Sequence, residues 1–183
     1  YTRTNSHGKL ELTAEVVDWI RTDNTEKYYA DGRSGKPSSA SNTVDLKEAF
    51  VPLLKQMDYS GFDFSSFDQD GDGTLDVTVF LHSGSSADAV NTDCFTGTER
   101  LDRIQSQASG GLYEGWRSTS GKRLGSFVIA SAYRGFCSTE LARIGTMVHE
   151  LIHTFGIPDL YDLAGPYGNS DSAVGGLGGY DIM

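Results

Sequence analysis

Apolar residues repeat with a helical period near the C-terminal end of the chain. They recur at i, i+3, i+4, i+7, i+8 and i+11, and they are Ile144, Met147, Val148, Leu151, Ile152 and Phe155. This spacing is typical of one amphipathic α-helix. Gly156 predicts the end of that helix, because the residue after a helix often takes a left-handed conformation that glycine adopts at little cost. Pro158 prevents the helix from resuming.

A second apolar stripe predicts a packing helix over residues 44–57. Its members share one face of a helical wheel and are Leu46, Phe50, Leu53, Leu54 and Met57. Thr43 or Asp45 could cap its start. Because Pro52 lacks the backbone N–H that a helix interior needs, we expect a kink or a late start near it.

Shorter apolar runs predict strands in other parts of the chain. Residues 9–20 begin with an alternation typical of a strand, residues 76–82 read as a buried strand, and residues 127–133 are another strand candidate. Since the 127–133 strand comes shortly before the long helix, we predict that it forms the upper edge of a cleft and pairs with an extended substrate. Residues 22–42 are predicted to be an exposed loop, and residues 83–124 carry no clear pattern.

Length, hydropathy and charge limit the number of domains and the kinds of partner that this chain can have. The chain has 183 residues, which suits one large domain or two subdomains that share a cleft. No apolar tract is long enough to span a membrane. Twenty-five acidic and fifteen basic side chains give a net charge of −10, which argues against nucleic acid as a partner. Without an initiating Met, and ending inside an unfinished motif, the sequence is interpreted as a piece of a longer precursor.

Two cysteines, Cys94 and Cys137, are too few for a disulfide scaffold. In a secreted protein they would most simply pair with each other, and they would then tie the 92–98 loop to the segment before the long helix. The alternative is two unrelated buried thiols.

The long helix also carries a metal-binding pattern. His149 and His153 lie one turn apart on a flank away from the apolar stripe, with Glu150 beside them. Two imidazoles so placed can bind one zinc ion, and the carboxylate can reach a metal-bound water. Asp159 follows the predicted turn and could serve as a third ligand. The alternative is an ordinary amphipathic helix whose histidines meet solvent or core partners.

An acidic loop predicts a second metal site, for calcium. Its oxygen-bearing side chains match positions 1, 3, 5, 7 and 9 of an EF-hand loop and are Asp68, Asp70, Asp72, Thr74 and Asp76. Position 12 is Val79 instead of a glutamate, so the remaining oxygens would come from backbone, water or Asp63. Such an ion would stabilise the fold. The alternative is a solvated Asp/Gly turn that binds nothing.

The segment HELIHTFGIPDLYD at 149–162, followed by a glycine-rich run into GGYDIM, resembles the immune-inhibitor-A-like family of secreted zinc metallopeptidases. The segments NSHGKLELTAEVVDWI, FDFSSFDQDGDGTLD and FLHSG are similar to that family in the same order. The resemblance therefore covers nearly the whole chain.

This resemblance implies an α+β, zincin-like catalytic domain with a mixed twisted sheet, a packing helix and an active-site helix on the floor of a cleft. Residues 1–156 would form the upper subdomain, and residues 157–183 would begin a lower subdomain that is truncated here. The resemblance also implies an extracellular protein that is secreted with a propeptide and uses catalytic zinc and structural calcium.

Carried over by position, His149, His153 and Asp159 would bind zinc, Glu150 would be the catalytic base, and Met183 would be a turn residue beneath the metal. The third ligand varies among zincins, so Asp159 rests on weaker grounds than the histidines. The function implied is a secreted endopeptidase that hydrolyses protein or peptide substrates through a zinc-bound water activated by Glu150. One alternative is a calcium-stabilised, catalytically inert binding or adhesion module derived from a peptidase, and another is a zinc hydrolase of non-peptide amides.

Overall fold

The computed structural model describes residues 7–9, 12–40, 43–88, 92, 94, 96–110, 113–134 and 140–159. The helices are α1 (Glu26–Ala30), α2 (Lys47–Tyr59), α3 (Ile144–His153) and two short 3-10 helices (Phe64–Phe67 and Arg100–Asp102). The strands are β1 (Thr78–His82), β2 (Gln107–Ser109), β3 (Tyr113–Arg117), β4 (Arg123–Leu124) and β5 (Phe127–Ser131). The described part of the chain is thus an α+β fold.

A mixed three-stranded sheet in the order β1-β5-β2 organises the fold. β5 runs parallel to β1 and antiparallel to β2, with Val128 opposite both Val79 and Ala108. β3 and β4 form a separate antiparallel pair. The expectation of a mixed sheet is confirmed, but 127–133 does not form a cleft edge. Because β5 is hydrogen-bonded on both sides, it has no free edge for a substrate. Among the described strands that lie beside α3, β2 has the open edge.

α2 packs its apolar face against the sheet. The ring of Phe50 stacks on Phe80 with centroids 3.9 Å apart and meets Phe127 edge-on at 5.4 Å. Phe50 and Leu54 are buried, and burial of each such side chain contributes about 1.5–3 kcal/mol. The predicted packing helix is therefore confirmed as the element that closes one side of the core.

The start of α2 differs from the expectation around Pro52. The helix begins at Lys47 and continues through Pro52 to Tyr59, so a late start near the proline is wrong. The Asp45 carboxylate accepts the Lys47 N–H at 2.9 Å, which satisfies one of the free amides of the first turn. Asp45, not Thr43, is thus the side chain that supports the helix start.

Three of the strand and loop predictions need correction. Residues 12–20 form no strand, and Val16 and Trp19 are exposed, because no described strand pairs with this segment. The 22–42 segment is not a simple exposed loop, because it contains α1, where Tyr29 is buried in the core. β1 is only partly buried, since its alternation leaves Val79 and other side chains of one face exposed.

α3 confirms the predicted long helix and its end. Gly156 has a left-handed φ of +81°, and its N–H donates to the His153 carbonyl at 2.9 Å. α3 packs against β5 and β2, and this packing buries Val148. The apolar stripe is not buried along its whole length, since Ile144 and Phe155 are exposed near its two ends.

Several expectations concern residues that the structure does not describe. Cys94 is disulfide-bonded, but Cys137, its predicted partner, lies outside the described residues. Met183 and nearly all of the 157–183 segment lie outside them as well, so the lower subdomain stays a prediction. Within the described ranges, the helices are too short or too polar to cross a bilayer.

Candidate metal centre and active site

Three predicted ligands converge after the end of α3. His149 and His153 project from consecutive turns, and their ring centroids lie 4.7 Å apart. The turn at Gly156 brings the chain back, so that the Asp159 Oδ1 lies 3.1 Å from the His149 Nε2 and 3.2 Å from the His153 Nε2. One ligand atom from each residue lies within 4.8 Å of the others. The spacing that the sequence predicted is therefore realised in space.

The three side chains approach closely without a hydrogen bond to the Asp159 Oδ1. The Asp159 Oδ1 is buried, and it forms no hydrogen bond to a described residue even though both ring nitrogens are close. The His153 Nδ1 lies 2.8 Å from the Ile157 carbonyl oxygen. Since a carbonyl can only accept, Nδ1 carries the proton and a neutral His153 ring presents an unprotonated Nε2 to Asp159.

These distances fit a tetrahedral zinc site. Two ligand atoms each about 2.1 Å from a tetrahedral ion lie about 3.4 Å apart. The measured 3.1 and 3.2 Å between Asp159 and the two histidines are close to that value. Two imidazole nitrogens and one carboxylate oxygen would leave a fourth position open, which is the arrangement of catalytic zinc sites.

Glu150 lies between the two histidines in sequence, and its side chain is partly buried. Burial raises the pKa of its carboxyl group, while nearby His149 and His153 lower that pKa to a smaller extent. The smallest of the contributions comes from the backbone N–H of Ala108 in β2, which also lowers the pKa. The helix thus supplies the acid, and it packs against β5 and β2.

The position of β2 beside α3 was not predicted from the sequence. β2 is the short polar run Gln-Ala-Ser, which has neither the length nor the β-branched residues that identify a strand. Its position beside Glu150 depends on pairing with β5, which a single sequence does not specify.

The acidic loop brings together part of its predicted set. Asp68, Asp70 and Asp76 each place one carboxylate oxygen within 4.8 Å of the others. Asp72 lies outside this group, and its carboxylate accepts the Thr74 N–H at 2.7 Å within the turn. The loop thus offers three convergent carboxylates, while Asp72 shapes the turn through the backbone.

A lysine already neutralises part of this loop. The Lys122 Nζ lies 2.5 Å from the Asp68 Oδ2, and this contact holds the pKa of Asp68 below its usual value. The other oxygen, Asp68 Oδ1, is buried without a hydrogen-bond partner among the described residues. Asp63, a possible further ligand, instead accepts bonds from the Ser65 N–H and hydroxyl. Calcium at this loop stays a prediction, since Lys122 relieves part of the charge repulsion that suggested it.

Comparison with known proteins identifies a family whose model matches most of the chain. The model of the family described as immune inhibitor A peptidase M6, catalytic domain, matches residues 1–177. No curated protein compared with the chain matches it significantly. The family match covers both the acidic loop and the convergent histidines.

Proposed function

The chain belongs to the immune inhibitor A peptidase M6 family, and on that premise we propose that it is a zinc-dependent endopeptidase with Glu150 as its catalytic base. Membership makes it a hydrolase of a metallopeptidase family, which acts on proteins or peptides and uses a metal cofactor. The finer proposal assigns zinc to His149, His153 and Asp159. It rests on the close approach of the Asp159 Oδ1 to the Nε2 atoms of both rings, at 3.1 and 3.2 Å, while this oxygen accepts no hydrogen bond from a described residue.

The residues of the site have separate tasks in this proposal. When bound, zinc would lower the pKa of a water at its open position and polarise the scissile carbonyl. The Glu150 carboxylate takes a proton from the attacking water and passes it to the leaving amine. Burial makes this carboxylate a stronger base by raising its pKa. The Ile157 carbonyl holds the His153 ring in the orientation that a ligand needs.

The wider setting belongs to the same proposal. We infer a zincin-like domain with residues 1–156 as its upper part, made as a precursor with a propeptide and secreted to the extracellular space. The disulfide at Cys94 supports secretion, because disulfides persist in oxidising compartments. We also propose that Asp68, Asp70 and Asp76 bind structural calcium, which the buried, unpaired Asp68 Oδ1 supports.

An inert binding or adhesion module is the rival function. Such a module could keep metal-binding residues for stability, but it would have no use for a carboxylate placed between them. Glu150 is present and partly buried, and burial raises the pKa of its carboxyl group. This arrangement favours the peptidase.

The decisive experiment is the Glu150→Ala variant. We expect it to retain one zinc per chain by elemental analysis and to lose about 10²- to 10⁴-fold of casein-cleaving activity, the usual contribution of a general base. Glu114→Ala, which removes an exposed carboxylate from β3, is the matched control and should cleave like the parent. Activity should vanish with a zinc chelator and return with added zinc.

The result that would overturn the peptidase is casein cleavage by Glu150→Ala at a rate near that of the parent. A parent protein that binds zinc but cleaves no member of a peptide library would favour the inert module. Hydrolysis of small acyl amides in place of peptides would favour the non-peptide hydrolase.

A further inference from the structure

Asp88 is an exposed acidic residue that the proposed mechanism does not use. It lies in the segment that follows β1, and hydrogen bonds join this segment to the residues that lead into β2. The Ala87 N–H donates to the Ile104 carbonyl at 3.1 Å. The Ser106 N–H donates to the Asp88 Oδ2 at 3.2 Å. The Asp88 carboxylate is therefore held at the start of β2.

One oxygen of this carboxylate is fixed, and the other is open. Besides the Ser106 N–H, the Asp88 Oδ2 accepts the hydroxyl of Ser86. Ser86 and Ser106 are both buried, and their hydroxyl oxygens lie 3.4 Å apart. The Asp88 Oδ1 accepts no hydrogen bond from the residues that the structure describes. The carboxylate thus has a fixed direction and one oxygen that is available to a ligand.

The charge of Asp88 is not balanced by a neighbouring cation. Arg103, three residues before Ser106, instead lies 2.7 Å from the Glu26 carboxylate. Burial lowers the pKa of His82 to about 4, although the charge of Asp88 raises it, so this ring is neutral at pH 7. Across the described ranges, Asp88 forms no ion pair. Its negative charge is therefore available to a positively charged partner.

β2 places this carboxylate near the proposed catalytic base. α3, which carries Glu150, packs against β2. Amides of alternate residues in an extended chain point in the same direction and lie about 7 Å apart. The Ser106 N–H meets Asp88, and the N–H of Ala108, two residues later, makes a small contribution to the pKa of Glu150. The two carboxylates are thus expected beside the same stretch of backbone.

Electrostatics supports the same arrangement. Burial is the main cause that raises the pKa of Glu150, and the negative charge of Asp88 raises it further. The charge of one carboxylate therefore acts on the other. Side chains on one side of an extended peptide repeat about every 7 Å. A peptide whose cleaved bond lies at Glu150 would therefore bring a nearby side chain to Asp88.

We infer that Asp88 is a specificity-determining residue that binds a lysine or arginine side chain of the peptide substrate close to the cleaved bond. This inference rests on the proposed peptidase function and adds a substrate preference to it. The long apolar stem of such a side chain can lie along the protein surface while its charged end reaches the Asp88 Oδ1. The net charge of −10 also favours the approach of basic peptides.

The test compares peptides that differ by one charge. Quenched fluorescent peptides with blocked ends would carry arginine or its neutral isostere citrulline at each position around the cleaved bond, and kcat/KM would be measured for each pair. Near the cleaved bond, we expect one position at which arginine is preferred about two- to fivefold, the range for one exposed ion pair. Raising the salt concentration should reduce this preference.

Removal of the charge provides the matched variants. Asp88→Asn keeps the shape of the side chain, and its kcat/KM for the arginine peptide should fall to that for the citrulline peptide. If Asp88 were only structural, cleavage of both peptides would fall equally. Asp45→Asn is the control, because this carboxylate also accepts a backbone N–H but lies at the start of α2, and it should keep the parent preference.

A second variant covers the case in which Asp88→Asn does not fold. Ser86→Ala removes one of the two donors to the Asp88 Oδ2 but leaves the charge in place. Since the carboxylate then loses part of its fixed direction, the preference for arginine should weaken without disappearing. A preference that was identical in Ser86→Ala and the parent would contradict the role given to this anchor.

The outcomes separate the role of Asp88 from the peptidase function. Equal kcat/KM for arginine and citrulline peptides at every position, in a protein that cleaves peptides, would overturn the role of Asp88 alone. A preference that survived in Asp88→Asn would overturn it as well. If the parent cleaves no peptide, the proposed function fails, and fluorescence polarisation would then compare binding of the same peptides. Equal binding of both peptides would overturn the role of Asp88 there too.

Discussion

Replacement of Asp159 by asparagine tests the metal centre most directly. The Asp159 Oδ1 lies 3.1 and 3.2 Å from the Nε2 atoms of His149 and His153, so it occupies the third corner of the proposed site. The amide keeps the size of the side chain but removes its negative charge. A neutral amide is a weaker ligand for a dication than a carboxylate. Mutation of residues that merely support metal ligands costs about 10- to 100-fold in metal affinity. Loss of a direct ligand should therefore weaken zinc binding by more than about 100-fold.

The assay is competition for zinc against a chromophoric chelator, followed by peptide cleavage at saturating zinc. Asp23→Asn, which makes the same change at an exposed position that is not among the three converging ligands, is the control and should bind zinc like the parent. A weaker zinc affinity with activity restored at high zinc would show that Asp159 holds the metal and does not carry the proton transfer. If Asp159→Asn bound zinc as tightly as the parent, the assignment of the third ligand would be wrong.

Two further predictions concern stability. Burial lowers the pKa of His82 to about 4. An unfolded chain with a histidine pKa near 6.5 therefore binds the proton first, and stability is lost as pH falls from about 6.5 towards 4. Urea denaturation should show about 2.5 kcal/mol less stability at pH 4.5 than at 7.5 from this group. His82→Leu should remove this loss of stability at low pH. If the free energy of unfolding of that variant fell with pH as steeply as that of the parent, the assignment to His82 would be wrong. For the acidic loop, calcium at about 100 times its Kd should stabilise by about 2.7 kcal/mol. Asp70→Asn should abolish the shift in Tm, and no shift in the parent would exclude the site.

The sequence predicted the parts of the site that depend on local geometry. A helix fixes where residues i and i+4 lie, so the pairing of His149 with His153 followed from their spacing. The left-handed turn at Gly156 followed from the conformational freedom of glycine, and it brings Asp159 back towards the helix. None of these features required knowledge of the sheet.

The features that the sequence did not predict depend on long-range pairing. The 127–133 segment was assigned to a cleft edge on its position in the chain, but β5 is the central strand because β1 and β2 pair with its two sides. The open edge belongs to β2, whose three residues carry no strand pattern. Likewise, a bound cation was predicted for the acidic loop because its carboxylates would otherwise repel one another. Lys122, which lies 54 residues from Asp68 in the sequence, already supplies one positive charge to this loop.

This division between local and long-range features bears on how the site works. α3 alone would present two imidazoles and a carboxylate, but it would leave Glu150 open to water. α3 packs against β5 and β2, and burial raises the pKa of the Glu150 carboxyl group. β2 is held beside the helix by the antiparallel register that places Ala108 opposite Val128 in β5. A shift of one residue in that register would move every β2 side chain to the other face of the sheet. The environment of the proposed base therefore depends on the core strand β5, which fixes the register of β2.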